Sequence, residues 1–327
     1  MDKLTKYIGC SIPIRTCNLK CSYRYITQSN RWDDAKFEIK PKLIRKALTK
    51  KRLGGTCLIN LCGAGETLIP HEALAVIREL LEEGHYVMVV TNGMLTTRFD
   101  EIITWDKELL ERLLFKFSFH YAELKRINKF DVFFANVKKI KETACSFSVE
   151  LMPHDEIVED IEKIKELCMT NLGALCHVTV GRDETKREKP LLTKYSKQEF
   201  YNIWSVFESE LFDFKMNTFS RKVNECCYSG KLAYFLNLQS GNLKKCYSSK
   251  VLQNVFEEIE EPLVEEIIGC DCQEAHCFNS HIFMTLGVIP ELEAPYYEKL
   301  RNRKCLDGSE WIKGKFKEFI SQRIEIK

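Results

Sequence analysis

Residues 17–26 read CNLKCSYRYI, and the reading of this stretch decides the fold. Cys17 is followed four residues on by Cys21, and then by an aromatic residue, Tyr23. Arg24 stands where a third cysteine would complete C-x-x-x-C-x-x-C. Just upstream, YIGCSIPI from Tyr7 is a β-type run, so both thiols fall in the loop that leaves a first strand.

Working outward, β-type runs recur at intervals of about thirty residues or a little more. They are TCLINLC from Thr56, HYVMVV from His85, LFKFSF from Leu114, SFSVELM from Ser146 and LCHVTV from Leu175. Amphipathic segments lie between them. PHEALAVIRELLEEG from Pro70 opens with a proline suited to a first helical turn and ends at Gly84, a residue type that caps helices. DEIVEDIEKIKELCMTNLG from Asp155 carries acids in its first turn and Gly173 past its end.

Six strand–helix units predict an α/β fold of parallel strands with helical crossovers. Pattern alone leaves open whether the sheet closes. In either form, ligands gather at the carboxyl ends of the strands. That rule groups Cys17 and Cys21, Gly63 to Glu66, Thr91, Asn92 and Gly93, His120, His154 and Arg182. His120 and His154 read as residues lining a mouth, and Arg182 as solvated or paired with Asp183 or Glu184.

The alternation stops near residue 185. DETKREKPLLTKYSKQ reads as a connector, followed by a helix over about 196–210. The chain thus divides into a strand–helix unit (1–185), a connector with a helix (186–219), a cysteine-rich segment (220–285) and a tail (286–327). The tail is apolar and aromatic, and is expected to pack on the first unit.

Composition narrows the function classes. The 327 residues are 45% hydrophobic, enough to bury a large core. Lys+Arg 49 against Asp+Glu 47 leaves a formal charge of +2, so no global charge attracts nucleic acid or an anionic membrane. No apolar run approaches the roughly 20 residues of a membrane helix, and the opening MDKLTKYIGCSIPIRTC lacks a signal-peptide pattern. The expectation is a reducing cytoplasm, where the fifteen cysteines would not normally pair as disulfides. Metal or iron–sulfur ligation is then the leading explanation for clustered cysteines. Cys57, Cys145, Cys168 and Cys176 read instead as buried thiols within strand or helix patterns.

At these residues the chain resembles the radical SAM superfamily. Cys17, Cys21 and Tyr23 match its C-x-x-x-C-x-x-C loop after the first strand. LCGAGETLIP supplies Gly63, Ala64, Gly65 and Glu66 as the glycine-rich, glutamate-bearing turn after the second, and TNG follows the third. The resemblance spans roughly residues 5 to 183. It implies a partial (β/α)6 TIM-like barrel and a 4Fe–4S cluster held by three thiolates. S-adenosyl-L-methionine would chelate the open iron, and a cellular electron donor would drive its reductive cleavage. The resulting 5′-deoxyadenosyl radical would abstract hydrogen from a peptide or small-molecule substrate. Cys17 and Cys21 would be cluster ligands, and Gly63, Ala64, Gly65, Glu66 and Asn92 would position the cofactor.

Arg24 departs from the pattern, because a guanidinium stays protonated and cannot replace a thiolate. Three readings stand open: a degenerate member without radical chemistry, a variant of an active enzyme, or substitution by Cys62. Cys62 ends the second strand and shares a side with Asn60 by the period of two.

The cysteine-rich segment adds independent information. Thirteen residues separate Cys227 from Gly241, and four more precede Cys246. CDCQEAHCFNSH then supplies Cys270, Cys272, Cys277 and His281. The first spacing resembles the opening of SPASM and shorter twitch extensions, and implies a hairpin around Gly241 with a thiolate on each side. The later spacings depart from a full SPASM pattern and imply one auxiliary iron–sulfur cluster. Its ligand pool would be Cys227, Cys246, Cys270, Cys272 and Cys277, with Cys227 favoured over adjacent Cys226. Zinc is the rival, since two cysteine pairs or a Cys₃His set satisfy its tetrahedral preference. The expected function is a radical SAM enzyme. The competing class is a non-catalytic barrel whose zinc or iron–sulfur domain binds a partner.

Overall fold

The computed structural model describes residues 2–29, 38, 40–270 and 272–326. Six strands follow the expected order: β1 (Leu4–Ile12), β2 (Thr56–Gly63), β3 (Tyr86–Thr91), β4 (Leu113–Phe119), β5 (Ser146–Leu151) and β6 (His177–Val178). They lie side by side in chain order, all parallel. Three more strands extend the other side: β7 (Ala233–Asn237), β8 (Asn242–Lys244) and β9 (Val251–Asn254). Among the described residues the nine-stranded sheet ends at β6 on one side and β9 on the other, and stays an open barrel.

The crossover segments cover one face. Helix Ala73–Glu82 buries Leu74, Val76, Ile77, Leu80 and Leu81 against Ile59, Leu61, Val87 and Val89. It begins three residues later than the proline at 70 suggested. Pro70 and the two residues after it form a turn in which the Pro70 carbonyl accepts from the Ala73 N–H. Gly84 closes the helix at a φ of 92°, a conformation that disfavours a side chain. The segment from Asp155 opens as a 3-10 turn, Asp155–Asp160, and becomes α-helical only at Ile161–Leu172. The Asp155 carboxylate accepts from Thr193 Oγ1 (2.6 Å) and the Lys194 N–H (2.7 Å), which ties that first turn to the connector.

The opposite, inner face has two halves. Towards the amino ends it is apolar, and Tyr7, Leu58, Tyr86, Met88 and Leu114 form a second core with Ile282 and Phe283 at the end of the cysteine-rich segment and with the tail residues Tyr297, Phe316 and Phe319. Tyr86 stacks on Phe319 with centroids 3.7 Å apart. Towards the carboxyl ends the same strands carry Ser11, Asn60 and Cys62, and there the face opens as a cavity. Strand alternation puts both sets on one side. The tail seals one half of the face and leaves the other open.

β7 pairs parallel with β1, from Tyr7↔Ala233 to Ser11↔Asn237. β7 thus continues the main sheet directly. β7 and β8 form the hairpin expected around Gly241, whose φ is 73°. Among the described residues, no helix is long and apolar enough to cross a membrane.

Candidate functional site

The loop leaving β1 runs across the mouth and zips onto the turn after β2. Ala64 N–H donates to Ile12 O (3.3 Å), Gly65 N–H to Ile14 O (2.5 Å) and Glu66 N–H to Thr16 O (3.0 Å). This approach explains the glycine at 65, where a Cβ would lie 1.9 Å from the Thr16 carbonyl oxygen. Farther along, Lys20 N–H donates to Glu123 Oε1 (2.8 Å), anchoring the loop to the helix after β4.

Glu66 is buried and its carboxylate is engaged inside the protein. It accepts from Thr91 Oγ1 (2.7 Å), Asn92 N–H (2.7 Å) and Leu68 N–H (3.1 Å). Burial raises its pKa, against the pull of these donors and of Arg24. Glu66 thereby joins the turns after β2 and β3. Asn92 carries the link onward, donating from Nδ2 to Asn18 Oδ1 (2.7 Å) and, more weakly, to Cys17 Sγ (3.6 Å).

Arg24 sits at the centre. Its Nη1 donates to Cys17 Sγ at 2.7 Å, and its Nη2 to Gly65 O at 2.8 Å and Ala64 O at 3.4 Å. One guanidinium therefore spans from the first cysteine to the carbonyls of the glycine turn. Cys21 is 1% exposed, and burial pushes its thiol up to about 12 against the pull of Arg24. Tyr23 shares a hydrogen bond with His120 Nδ1 (2.8 Å) and packs 5.1 Å from the His154 ring. Burial, aided by Arg24, brings His120 down to about 3 and keeps it neutral.

The structure thus unites Cys17, Cys21, Gly63 to Glu66 and Asn92 at one end of the sheet, with His120 and His154 flanking Tyr23. Cys62 opens onto a cavity of about 470 Å³ beside Asn60, Gly63 and Ala64. Among the described residues, no third cysteine, histidine or carboxylate joins Cys17 and Cys21 in a group able to hold a metal. A cubane with one open iron needs three thiolates. The loop offers two sulfurs and a permanent cation against one of them. The donor set does not fit that cluster.

In the cysteine-rich segment, Cys227 and Gly269 exchange backbone hydrogen bonds of 3.0 Å. Antiparallel pairing then sets Cys226 opposite Cys270, and the two form a disulfide. This differs from the expectation that Cys270 serves as a metal ligand and that the cysteines stay unpaired. Cys227, the next residue along, faces the other way. Its thiol is pushed up to about 12, by burial first and then by the like charges of Cys246 and Cys272. Cys277 is raised by burial and by the same neighbours together with Cys227. Four thiols, Cys227, Cys246, Cys272 and Cys277, are thus in mutual electrostatic reach. In number and kind they fit a tetrathiolate site for zinc or iron–sulfur. Among the described residues they do not stand at coordinating positions.

Sequence reasoning passed over the charged residues of the inner face. Lys116 and Glu150 lie within buried strands, and Arg301 of helix Tyr297–Arg301 pairs with Glu150 while fully buried. The signal was present: a lysine and a glutamate interrupt LFKFSF and SFSVELM on the face shared with Leu114 and Ser148. Arg182 pairs with Glu184 (3.2 Å) and lies over the Phe278 ring at 5.1 Å.

No protein-family model and no curated protein matches this sequence. Solved structures do match, and the likeness is one of fold: the chain has a partial TIM-like barrel of the kind seen in radical SAM structures. It is similar to SuiB of Streptococcus suis, with a TM-score of 0.56 and 13% identity over 81% of this chain and 67% of that one. SuiB bound to S-adenosylmethionine gives a TM-score of 0.55 and 14% identity over 80% and 67%. anSMEcpe with bound AdoMet gives 0.52 and 15% over 80% and 78%.

Proposed function

We propose that this chain uses the radical SAM barrel as a ligand-binding scaffold and does not cleave S-adenosylmethionine. The observation that carries this reading is the Arg24 guanidinium. It occupies a sulfur that would bind iron, and also carbonyls of the turn whose residues, by the resemblance, would position the cofactor. A guanidinium has five donors and no acceptor, so it satisfies those partners as a cluster and an ammonium would. The two sites are filled from within the chain.

Under this reading the fourfold thiol set of the extension is the metal centre. Cys227, Cys246, Cys272 and Cys277 would hold zinc or one iron–sulfur cluster, pinning the β7–β8 hairpin to the segment after β9. The ligand would be a peptide or small molecule in the open half of the inner face. SuiB is known with its precursor peptide SuiA at a TM-score of 0.53, which supports a peptide as the first class to try.

The test is S-adenosylmethionine cleavage by the anaerobically reconstituted protein with dithionite, before and after Arg24→Cys. The expected result is no 5′-deoxyadenosine from the native chain. Turnover by the native chain would contradict the reading. Turnover by the variant alone would mean that the arginine is all that separates this barrel from the active class.

A further inference from the structure

Beside the 470 Å³ cavity lies a smaller one of about 230 Å³, between β6, helix Glu210–Thr218 and residues 276–281. Arg182, Tyr247 and Phe278 form the wall common to both. The smaller cavity has room for several waters, or a group the size of a phosphate or a carboxylate with its neighbours. Its polar lining includes the Lys215 ammonium, the Arg182 guanidinium and the Thr179 and Ser280 hydroxyls, while the Thr218 hydroxyl is spent on the Phe214 carbonyl. Asn279 completes it. This residue is 5% exposed, and its Nδ2 finds no hydrogen-bond partner among the described residues. A buried amide left unmatched costs free energy and calls for an acceptor.

The charges point the same way. Lys215 donates to Thr179 Oγ1 at 2.5 Å. The charged groups acting most strongly on it are Glu150, Arg301, Lys116 and Arg182, three cations and one carboxylate. Glu150 is already paired with Arg301. Those acting on His281 are Lys215, Arg301, Lys116 and Arg182, all cationic. Glu184, in the lining of the larger cavity, is shared between Arg182 (3.2 Å) and Lys189 (3.0 Å). Uncompensated positive charge in a buried site is expensive, and a bound anion relieves it.

We propose that this smaller cavity is an anion subsite, in which Lys215, Arg182 and Asn279 receive a carboxylate or phosphate of the ligand while the larger cavity takes its body. The inference rests on the reading of the barrel as a ligand-binding scaffold and names the ligand class: acid-bearing molecules. Phe278 and Tyr247 at the shared wall, with Phe235 tilted against Tyr247 at a centroid distance of 3.7 Å, give the rest of the ligand an apolar surface beside the charged end.

The experiment titrates the full chain with inorganic phosphate and, separately, with N-acetylglycine, at constant ionic strength in chloride, following heat and the thermal midpoint. Saturable binding of either probe is expected, and which one binds distinguishes phosphate from carboxylate ligands. Lys215→Gln, Arg182→Gln and Asn279→Leu should each weaken that binding about tenfold or more, while Lys186→Gln on the outer surface leaves it unchanged. Arg182 lies in a connecting loop, so its variant reports even if Lys215→Gln fails to fold. No saturation by either probe at tens of millimolar would overturn the proposal, as would equal affinity in native chain and variants. Neither outcome touches S-adenosylmethionine cleavage, so this test and that of the scaffold reading fail independently.

Discussion

Arg24 bonds a loop built around two cysteines to the turn after β2 at the rim of the open mouth. Its planar fork reaches sulfur and two carbonyls at once, which an ammonium on a flexible stem does not reproduce. Arg24→Lys should therefore loosen the zipped loops where Arg24 holds them. Gly65 is the other residue on which this junction depends. Gly65→Ala would place a methyl 1.9 Å from Thr16 O, and backbone must move to admit it. The expected loss is about 3 kcal/mol, the upper end for overpacking, read from the denaturation midpoint. Lys215 makes the mouth pH-sensitive. Burial, with Arg301, Lys116 and Arg182, brings it to about 7, opposed by Glu150. It is charged below that value and neutral above. Anion affinity should fall as pH rises from 6 to 8, and a flat titration profile would exclude Lys215 as the anion's partner.

At the scale of elements, His85 shows how the crossovers are locked. It sits just before β3, where Nδ1 accepts from Cys57 N–H of β2 (3.1 Å) and Nε2 bonds the Leu48 carbonyl (2.7 Å). The first bond needs the neutral ring, because a protonated Nδ1 cannot accept; the second survives protonation. Burial holds its pKa down to about 4, with Lys50 and Arg112 adding to the effect and Leu48 and Glu83 opposing it. A depressed folded-state value means the stabilisation is whole above the unfolded value of about 6.5 and is lost as pH falls towards 4. The loss should be on the order of 3 kcal/mol, and His85→Gln should flatten the acid limb of denaturant midpoints measured from pH 7 to 4.5. Element identity was largely readable in the sequence because β1 to β6 are near-continuous apolar runs, the mark of parallel strands covered on both faces. Boundaries were less readable. The start at Ala73 and the 3-10 turn at Asp155 are set by bonds to distant segments, which local spacing does not encode.

The whole molecule is organised by its inner face, apolar and plugged by the tail at one end, polar and open at the other. The hinge between the halves is the buried Arg301–Glu150 pair, which ties the tail to β5. Arg301→Met would leave Glu150 buried with its principal counter-charge gone, a change expected to cost about 3–5 kcal/mol in equilibrium unfolding. The mouth of the candidate site was visible from sequence, since each strand end donated polar or glycine residues to it. Three features were not. Disulfide connectivity does not follow from spacing, so Cys270 was grouped with the metal ligands. The placement of β7 beside β1 joins residues more than two hundred positions apart. Arg24 read as an absence, and only its three-dimensional partners reveal it as a bridge.

The most direct measurement is iron and acid-labile sulfide per chain after anaerobic reconstitution, in a background where Cys246→Ser and Cys277→Ser disable the extension. Any cluster retained there belongs to the loop after β1. The bridge between Cys17 and the glycine turn predicts essentially no iron in that background, and about four irons with matching sulfide once Arg24→Cys is added. A full complement of iron and sulfide with Arg24 still in place would contradict it.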